Sequence, residues 1–183
     1  MMRLLTAPDN LDENDKCFKI FLAGGIQKCA DWQESVARWL MAVSEWDGAD
    51  IVLINPRQSH FDFSDPRAVE RQISWEFKYL NQMDMFTMFF YGPTDSDQPI
   101  CFYELGRYIE VMKRRFPADW QTRIVVSVCR EFKHHEDVVY QTLLATESRV
   151  VLGCYETYEW AFNWHKENIL NAISLYFPEC RHA

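Results

Sequence analysis

The sequence has no long apolar run, no CxxC pair, no GxGxxG pattern, and too few basic residues to offset its acids. Each absence excludes something. Without about 18 consecutive apolar residues, no segment reads as a membrane span. The N-terminus carries one early basic residue, Arg3, and then runs into Thr6-Ala7-Pro8-Asp9-Asn10. That is not the apolar stretch of a secretory leader, so a cytoplasmic protein is expected. The 6 cysteines are scattered at Cys17, Cys29, Cys101, Cys129, Cys154 and Cys180. They read as free thiols of a reducing compartment, not as a disulfide framework. With 19 basic against 27 acidic residues the formal net charge is -8. Such a chain offers no electrostatic footprint for a nucleic-acid backbone, although a small ligand can still be held in a local pocket. The missing GxGxxG spacing argues against a dinucleotide site. There is also no internal repeat, low-complexity tract or linker, and 183 residues fit one domain.

What is present is a 48% hydrophobic chain, enough to build a packed core. Residues 1–16 are polar, with Pro8, Asn10 and Asn14, and read as a loose N-terminal arm; residues 17–183 read as the domain. Short apolar runs at Phe18 to Ala23, Ile51 to Asn55, Asp84 to Phe90, Ile124 to Val128 and Val150 to Leu152 suit buried parallel strands. Between them, apolar residues recur at helical spacing. Trp32, Val36, Leu40 and Val43 follow a cap at Asp31, and Val69, Ile73, Phe77 and Leu80 mark a second helix. Further helices are expected from about Phe102 to Lys113, from Val138 to Leu144 and from Tyr158 to Tyr176. The alternation predicts a single α/β domain: a five-stranded parallel sheet with helices on both faces, in a flavodoxin-like order.

Ligands of such sheets sit at the carboxyl ends of the strands. The loops to watch are Gly24 to Asp31, Asn55 to Asp65 and Tyr91 to Glu104. Four short motifs stand out: Phe21-Leu22-Ala23-Gly24-Gly25, Ile54-Asn55-Pro56-Arg57, Asp84 opening the third strand, and Phe102-Tyr103-Glu104-Leu105-Gly106. Each alone is weak. In this order the set resembles the nucleoside 2-deoxyribosyltransferase family and its N-glycoside hydrolase relatives. The segments Gln72-Ile73-Ser74-Trp75-Glu76 and Glu136-Asp137-Val138-Val139-Tyr140-Gln141 add to the likeness, which covers roughly residues 18–145.

The resemblance implies cleavage of the N-glycosidic bond of a 2′-deoxynucleoside and transfer of the deoxyribose to another base. It implies no cofactor, a nucleoside or nucleotide and a free base as partners, and a homo-oligomer. The chemistry supports Glu104 as nucleophile. Bond cleavage develops positive charge on the sugar, which a carboxylate below the anomeric carbon can stabilise or capture as a covalent glycosyl-enzyme. The first turn of a helix, where Glu104 is expected, would hold that carboxylate ionised. Gly106 would keep the backbone close to its neighbours. By the same resemblance Asp84 contacts the leaving base, and an acid there would protonate it. Gly24 and Gly25, with the Asn55/Arg57 turn, would shape the sugar end, and Arg57 would suit a phosphate. Asp62, in the loop segment Phe61-Asp62-Phe63, would touch sugar hydroxyls.

Two positions depart from the family pattern. Where the transferases carry a second Asp six residues before the nucleophile, this chain has Gln98; Asp95 and Asp97 are near but out of register. Gln98 can pair with a base edge yet cannot donate a proton as an acid does. The family's first-strand tyrosine is also missing, since Phe18 and Phe21 lack a hydroxyl, and Tyr103 or Tyr91 would take its place. These departures keep a hydrolase, and a catalytically silent nucleotide-binding module, as alternatives. Other features have ordinary readings. His134-His135-Glu136 lacks metal-ligand spacing, so no metal is expected. Trp32, Trp39, Trp46 and Trp75 read as core or interface. Lys113-Arg114-Arg115 complements a helix dipole. Cys101 has no neighbouring histidine to activate it.

Overall fold

The computed structural model describes residues 1–26, 28–43, 46, 48–62, 64–92 and 96–179. Six parallel strands form one sheet: β1 (Met2–Thr6), β2 (Phe18–Gly24), β3 (Ile51–Asn55), β4 (Met85–Phe90), β5 (Ile124–Cys129) and β6 (Val151–Tyr155). Among the described residues four α-helices connect strands, α1 (Trp32–Val43), α2 (Ala68–Leu80), α3 (Pro99–Arg115) and α4 (His135–Thr146), and a fifth, α5 (Tyr158–Tyr176), follows β6. The strand order is β1-β3-β2-β4-β5-β6. Without β1 it is the doubly wound order expected from the sequence. The sixth strand is the correction. It comes from the segment read as a loose arm, where Met2 to Thr6 pairs in parallel with Ile51 to Asn55. An edge strand needs a partner on one side only, so Leu5 and Met2 alternate inward while Arg3 reaches Asp15 and Asp50.

The two faces of the sheet carry separate cores, because successive strand residues point to opposite sides. On one face Ile20, Leu22, Leu53, Phe89 and Val125 pack with Trp32, Val36 and Leu40 of α1 and with Ile169 and Ile173 of α5. On the other, Phe21, Ile54, Phe86, Phe90 and Val126 pack with Trp75 and Tyr79 of α2, Leu105 and Tyr108 of α3, and Val138 of α4. His165 of α5 is wholly buried, and burial pushes its pKa down to about 3, so it stays neutral; its Nδ1 lies 2.9 Å from Ser127 Oγ.

The buried face of α2 is not the one that the spacing predicts. Val69, Ile73 and Phe77 are 58%, 60% and 51% exposed, whereas Ala68, Trp75, Tyr79 and Leu80 face the core. The helix is apolar on two sides, and periodicity reported the outer one. Trp75 settles the orientation, packing tilted against Tyr79 with ring centroids 4.6 Å apart and donating its indole N–H to Asp9 O at 2.7 Å. Among the described residues no helix is long and apolar enough to cross a membrane.

Candidate active site

A cavity of about 830 Å³ opens between α2 and α3 beside the carboxyl end of β2. This is where the chain, having laid β3 on one side of β2, crosses to lay β4 on the other. Such a switch point leaves a crevice that no crossover fills.

Gly24 and Gly25 form its floor. Gly24 has φ +148°, and a Cβ there would stand 2.3 Å from the Phe89 carbonyl oxygen of the neighbouring strand. At Gly25 a Cβ would lie 2.6 Å from the Gln98 side-chain amide. The glycine pair is therefore a space requirement, which lets the loop after β4 fold down over the end of β2.

Gln98 precedes Pro99 at the start of α3 with left-handed backbone angles, φ 47° and ψ 48°. Its Nε2 donates to Tyr91 O at 2.6 Å and to Ser96 Oγ at 3.3 Å. Because a carbonyl only accepts, this fixes which end of the amide is which. Oε1 is left buried without a hydrogen-bond partner among the described residues. Thr94 and Asp95 of this loop lie outside the described residues, as do Phe63 of the loop after β3 and Cys180. Asp97 lines the cavity and is tied by an ion pair to Lys133, with His134 Nε2 3.6 Å from its carboxylate.

Glu104 lines the cavity from α3. It is the sixth residue of that helix, not in the first turn as expected, and the first turn holds no acid. Electrostatics differ accordingly. Desolvation by burial, and then the neighbouring carboxylate of Glu76, push the Glu104 pKa up to about 8. The helix dipole fades beyond the first turn and does not offset the loss of water. Gly106 has open space where a Cβ would be, so it brings no close backbone approach.

Glu76 is the site residue that sequence reasoning missed. It projects from α2 into the same cavity, and burial raises its pKa while a 2.7 Å hydrogen bond from Gln72 Nε2 holds it down. The one signal in the sequence was its place in the Gln72 to Glu76 block. Only packing shows that Trp75 of that block turns into the core and Glu76 into the cavity.

Asp84 stands elsewhere. It precedes β4, where its Oδ2 accepts the Lys19 N–H at 2.9 Å at the start of β2. Five residues of strand, about 16 Å, separate it from Phe89 at the cavity end. It closes the amino end of the sheet and is not a cavity residue. Asn55 and Arg57 are also outside the lining. Asn55 Oδ1 accepts the Arg57 N–H at 2.9 Å, and the Arg57 guanidinium donates to Ala30 O at 2.8 Å and Cys29 O at 3.0 Å. Their contacts fasten the loop after β2. Asp62 is exposed and turns back on its own loop, accepting from Ser64 N at 2.9 Å and Ser64 Oγ at 2.6 Å. Tyr103 sits at the mouth, 64% exposed, its hydroxyl accepting from Arg107 Nη1 at 3.2 Å. Tyr91 stacks against Phe89 and Tyr158 on the other face of the sheet. Of the two tyrosines considered, Tyr103 alone lines the cavity. Cys101 is buried there, and burial together with Glu104 pushes its thiol far up, so it stays protonated. Among the described residues no three His, Cys, Asp or Glu side chains gather to hold a metal.

The doubly wound α/β domain thus places two carboxyl groups, Glu76 and Glu104, in one cavity at its switch point. The family model described as "Nucleoside 2-deoxyribosyltransferase like" matches residues 17–119, from the strand that carries the glycines to just past the helix that carries Glu104. The chain belongs to this nucleoside 2-deoxyribosyltransferase-like family. The family is one of transferase-like enzymes that bind nucleosides. No curated protein matches the chain.

Proposed function

We propose that the protein cleaves the N-glycosidic bond of 2′-deoxynucleosides through a covalent glutamyl-sugar intermediate and passes the deoxyribose to a second base. The observation that carries this reading is the pair Glu104 and Glu76 in one cavity beside Gly24 and Gly25. Below about pH 8 Glu104 holds the proton, so the reacting form is the one in which that proton has passed to Glu76, and its ionised Glu104 oxygen attacks C1′ as the bond from C1′ to the base breaks. The bonding electron pair stays on the base, and Glu76 supplies a proton to a base nitrogen. In the second half the incoming base nitrogen attacks C1′, releases Glu104 and returns a proton to Glu76. Two inversions give net retention. Gln98 stands at the loop end of the cavity, where it can meet a base edge, and Tyr103 stands at the mouth.

The test is chromatographic: a panel of deoxynucleosides with and without a second free base, beside Glu104→Ala. A new nucleoside that vanishes with the variant supports transfer. Free base without exchange makes the enzyme a hydrolase. No reaction across deoxynucleosides and their 5′-phosphates leaves a binding module and ends the enzymatic reading.

Two buried carboxyl groups in one cavity, the Glu76 charge raising the Glu104 pKa, hold one proton between them over a window of pH. The rate profile is therefore expected to be bell-shaped, falling where both are protonated and where both are ionised. Glu76→Gln keeps the shape of the side chain and removes its charge. With that variant the alkaline fall should disappear, and Glu104 should titrate below the value of about 8 that it has beside Glu76. An unchanged bell would remove Glu76 from the chemistry.

The reading includes a homo-oligomer. Val69, Ile73 and Phe77 of α2 continue into Ile100 and Tyr103 of α3 as one exposed apolar stripe at the cavity mouth. Stripes of this kind mark association surfaces. Light scattering on the wild-type protein should give more than one chain per particle, and Val69→Glu with Ile73→Glu should give one. A wild-type monomer at micromolar concentration would sink this part.

A further inference from the structure

Two side chains and a backbone carbonyl behind Glu76 form a fixed relay. Gln72 Nε2 donates one hydrogen to Pro56 O at 2.7 Å and the other to Glu76 Oε1 at 2.7 Å. Gln72 Oε1 in turn accepts from Gln58 Nε2. The orientation of the Gln72 amide is not a free choice. The Pro56 carbonyl cannot donate, so the nitrogen must face it, and the oxygen then faces Gln58. Every hydrogen-bonding hydrogen of the Gln72 amide is committed. Gln72 is on α2 with Glu76, and Gln58, in the loop after β3, reaches Glu76 only through Gln72.

This settles which oxygen of Glu76 can carry a proton. Oε1 faces an N–H that cannot accept one, whereas Oε2 makes no hydrogen bond among the described residues and belongs to a side chain that lines the cavity. We propose that Gln72 is a positioning residue, which, braced by Pro56 and Gln58, occupies Oε1 of Glu76 and so directs the Glu76 proton to Oε2, the oxygen left for the leaving base. The inference rests on the reading of Glu76 as proton donor. On α3 Glu104 and Cys101 feel the Glu76 charge, and burial keeps the Cys101 thiol neutral. Lys28, Asp97 and Arg107 are the other charged groups that line the cavity. The Gln72 hydrogen bond lowers the Glu76 pKa, so its loss should let that pKa rise.

Gln72→Met keeps the reach of the side chain and removes its donors. On an ordinary purine deoxynucleoside its kcat should fall at least about tenfold, a part of the roughly 10²–10⁴-fold that a general acid contributes. KM should stay within about twofold, because substrate binding is not what the amide serves. The alkaline limb of kcat should move to higher pH, since Glu76 holds its proton longer. Gln58→Met, which leaves Gln72 in place but unbraced, should move the limb the same way by less. A deoxynucleoside of an N7-methylated purine releases an uncharged base without a proton. On that substrate both variants, and Glu76→Gln, should run near the wild-type rate. An equal loss on both substrates at every pH would make Gln72 a structural residue only and overturn the proposal. So would an unmoved kcat and limb in Gln72→Met while Glu76→Gln is impaired. If Glu76→Gln itself keeps full rate on the ordinary purine, the assignment of Glu76 falls, and the proposal falls with it.

Discussion

Replacing Glu104 with glutamine is expected to cost at least about 10³-fold in the rate of glycosidic cleavage, the scale seen when a covalent nucleophile is removed. At the same time the folded protein should become harder to unfold above neutral pH. Both effects have one cause. Glu104 sits where water cannot reach it well, next to a second carboxyl, and its pKa is pushed up to about 8. A carboxyl group whose pKa rises on folding favours the folded state fully below its unfolded value, near 4.5, and loses that advantage as pH climbs through the folded value. The wild-type protein should therefore lose stability between these two pH values, and Glu104→Gln should not. At pH 8.5 the difference should reach several kcal/mol, with about 5 kcal/mol as the ceiling at about 1.4 kcal/mol per unit of pKa, and at pH 4 it should be close to zero. Denaturant melts of both proteins at the two pH values check it. The same destabilised charge is what makes the group useful. Attack on C1′ converts a poorly solvated anion into a neutral ester, so the free-energy cost of burying it is released as the bond forms. A variant that loses activity with no pH-dependent gain in stability would place the carboxylate in a more solvated position and weaken the case for Glu104 as nucleophile.

Gly24→Ala is expected to be the most damaging single methyl group in the chain. The new Cβ would lie 2.3 Å from the Phe89 carbonyl oxygen and 2.9 Å from the Trp32 ring, at a backbone φ of +148°. The carbonyl belongs to a central strand and cannot move without breaking its ladder, and Trp32 is wholly buried. Strain of that backbone kind costs of order 1–3 kcal/mol, and the clash adds to it, so a loss on the order of 3 kcal/mol or more is expected. Gly25→Ala makes the informative contrast. Its Cβ meets only the far end of the Gln98 side chain, which can swing away from Tyr91 O. Its melting temperature should stay near that of the wild type, while KM rises because Gln98 is displaced from the base end of the cavity. A Gly24→Ala protein as stable as wild type would show that the turn after β2 can open, and that the position does not require glycine.

Most of the architecture was legible in the sequence because it depends on local pattern. Short apolar runs alternated with helical spacings, and β3 and α5 fall at the predicted bounds, Ile51–Asn55 and Tyr158–Tyr176. The N-terminal strand was missed for a physical reason. An edge strand five residues long needs few apolar side chains, and the Pro and Asn residues that follow Thr6 dominate the local composition. The outward stripe of α2 was misassigned because a helix with apolar residues on two sides offers periodicity no way to choose between them. Trp75 and Tyr79 carried more burial than Val69 and Ile73, but that is decided by what lies opposite.

By itself the sequence determined a doubly wound parallel sheet, the family resemblance, and the helix that carries Glu104. Tertiary structure alone decided which carboxyl group faces it. The rule that ligands gather at the carboxyl ends of parallel strands already told against Asp84, which opens its strand, and the hydrogen bond to the Lys19 N–H explains what it does instead. Glu76 lies 28 positions from Glu104 in the chain, and nothing in the sequence joins the two. They meet because α2 and α3 lie on the same face of the sheet with a cavity between them, which side chains of both helices line. The pKa of Glu104 is likewise a property of that meeting, since desolvation and a neighbouring charge exist only once the chain has folded.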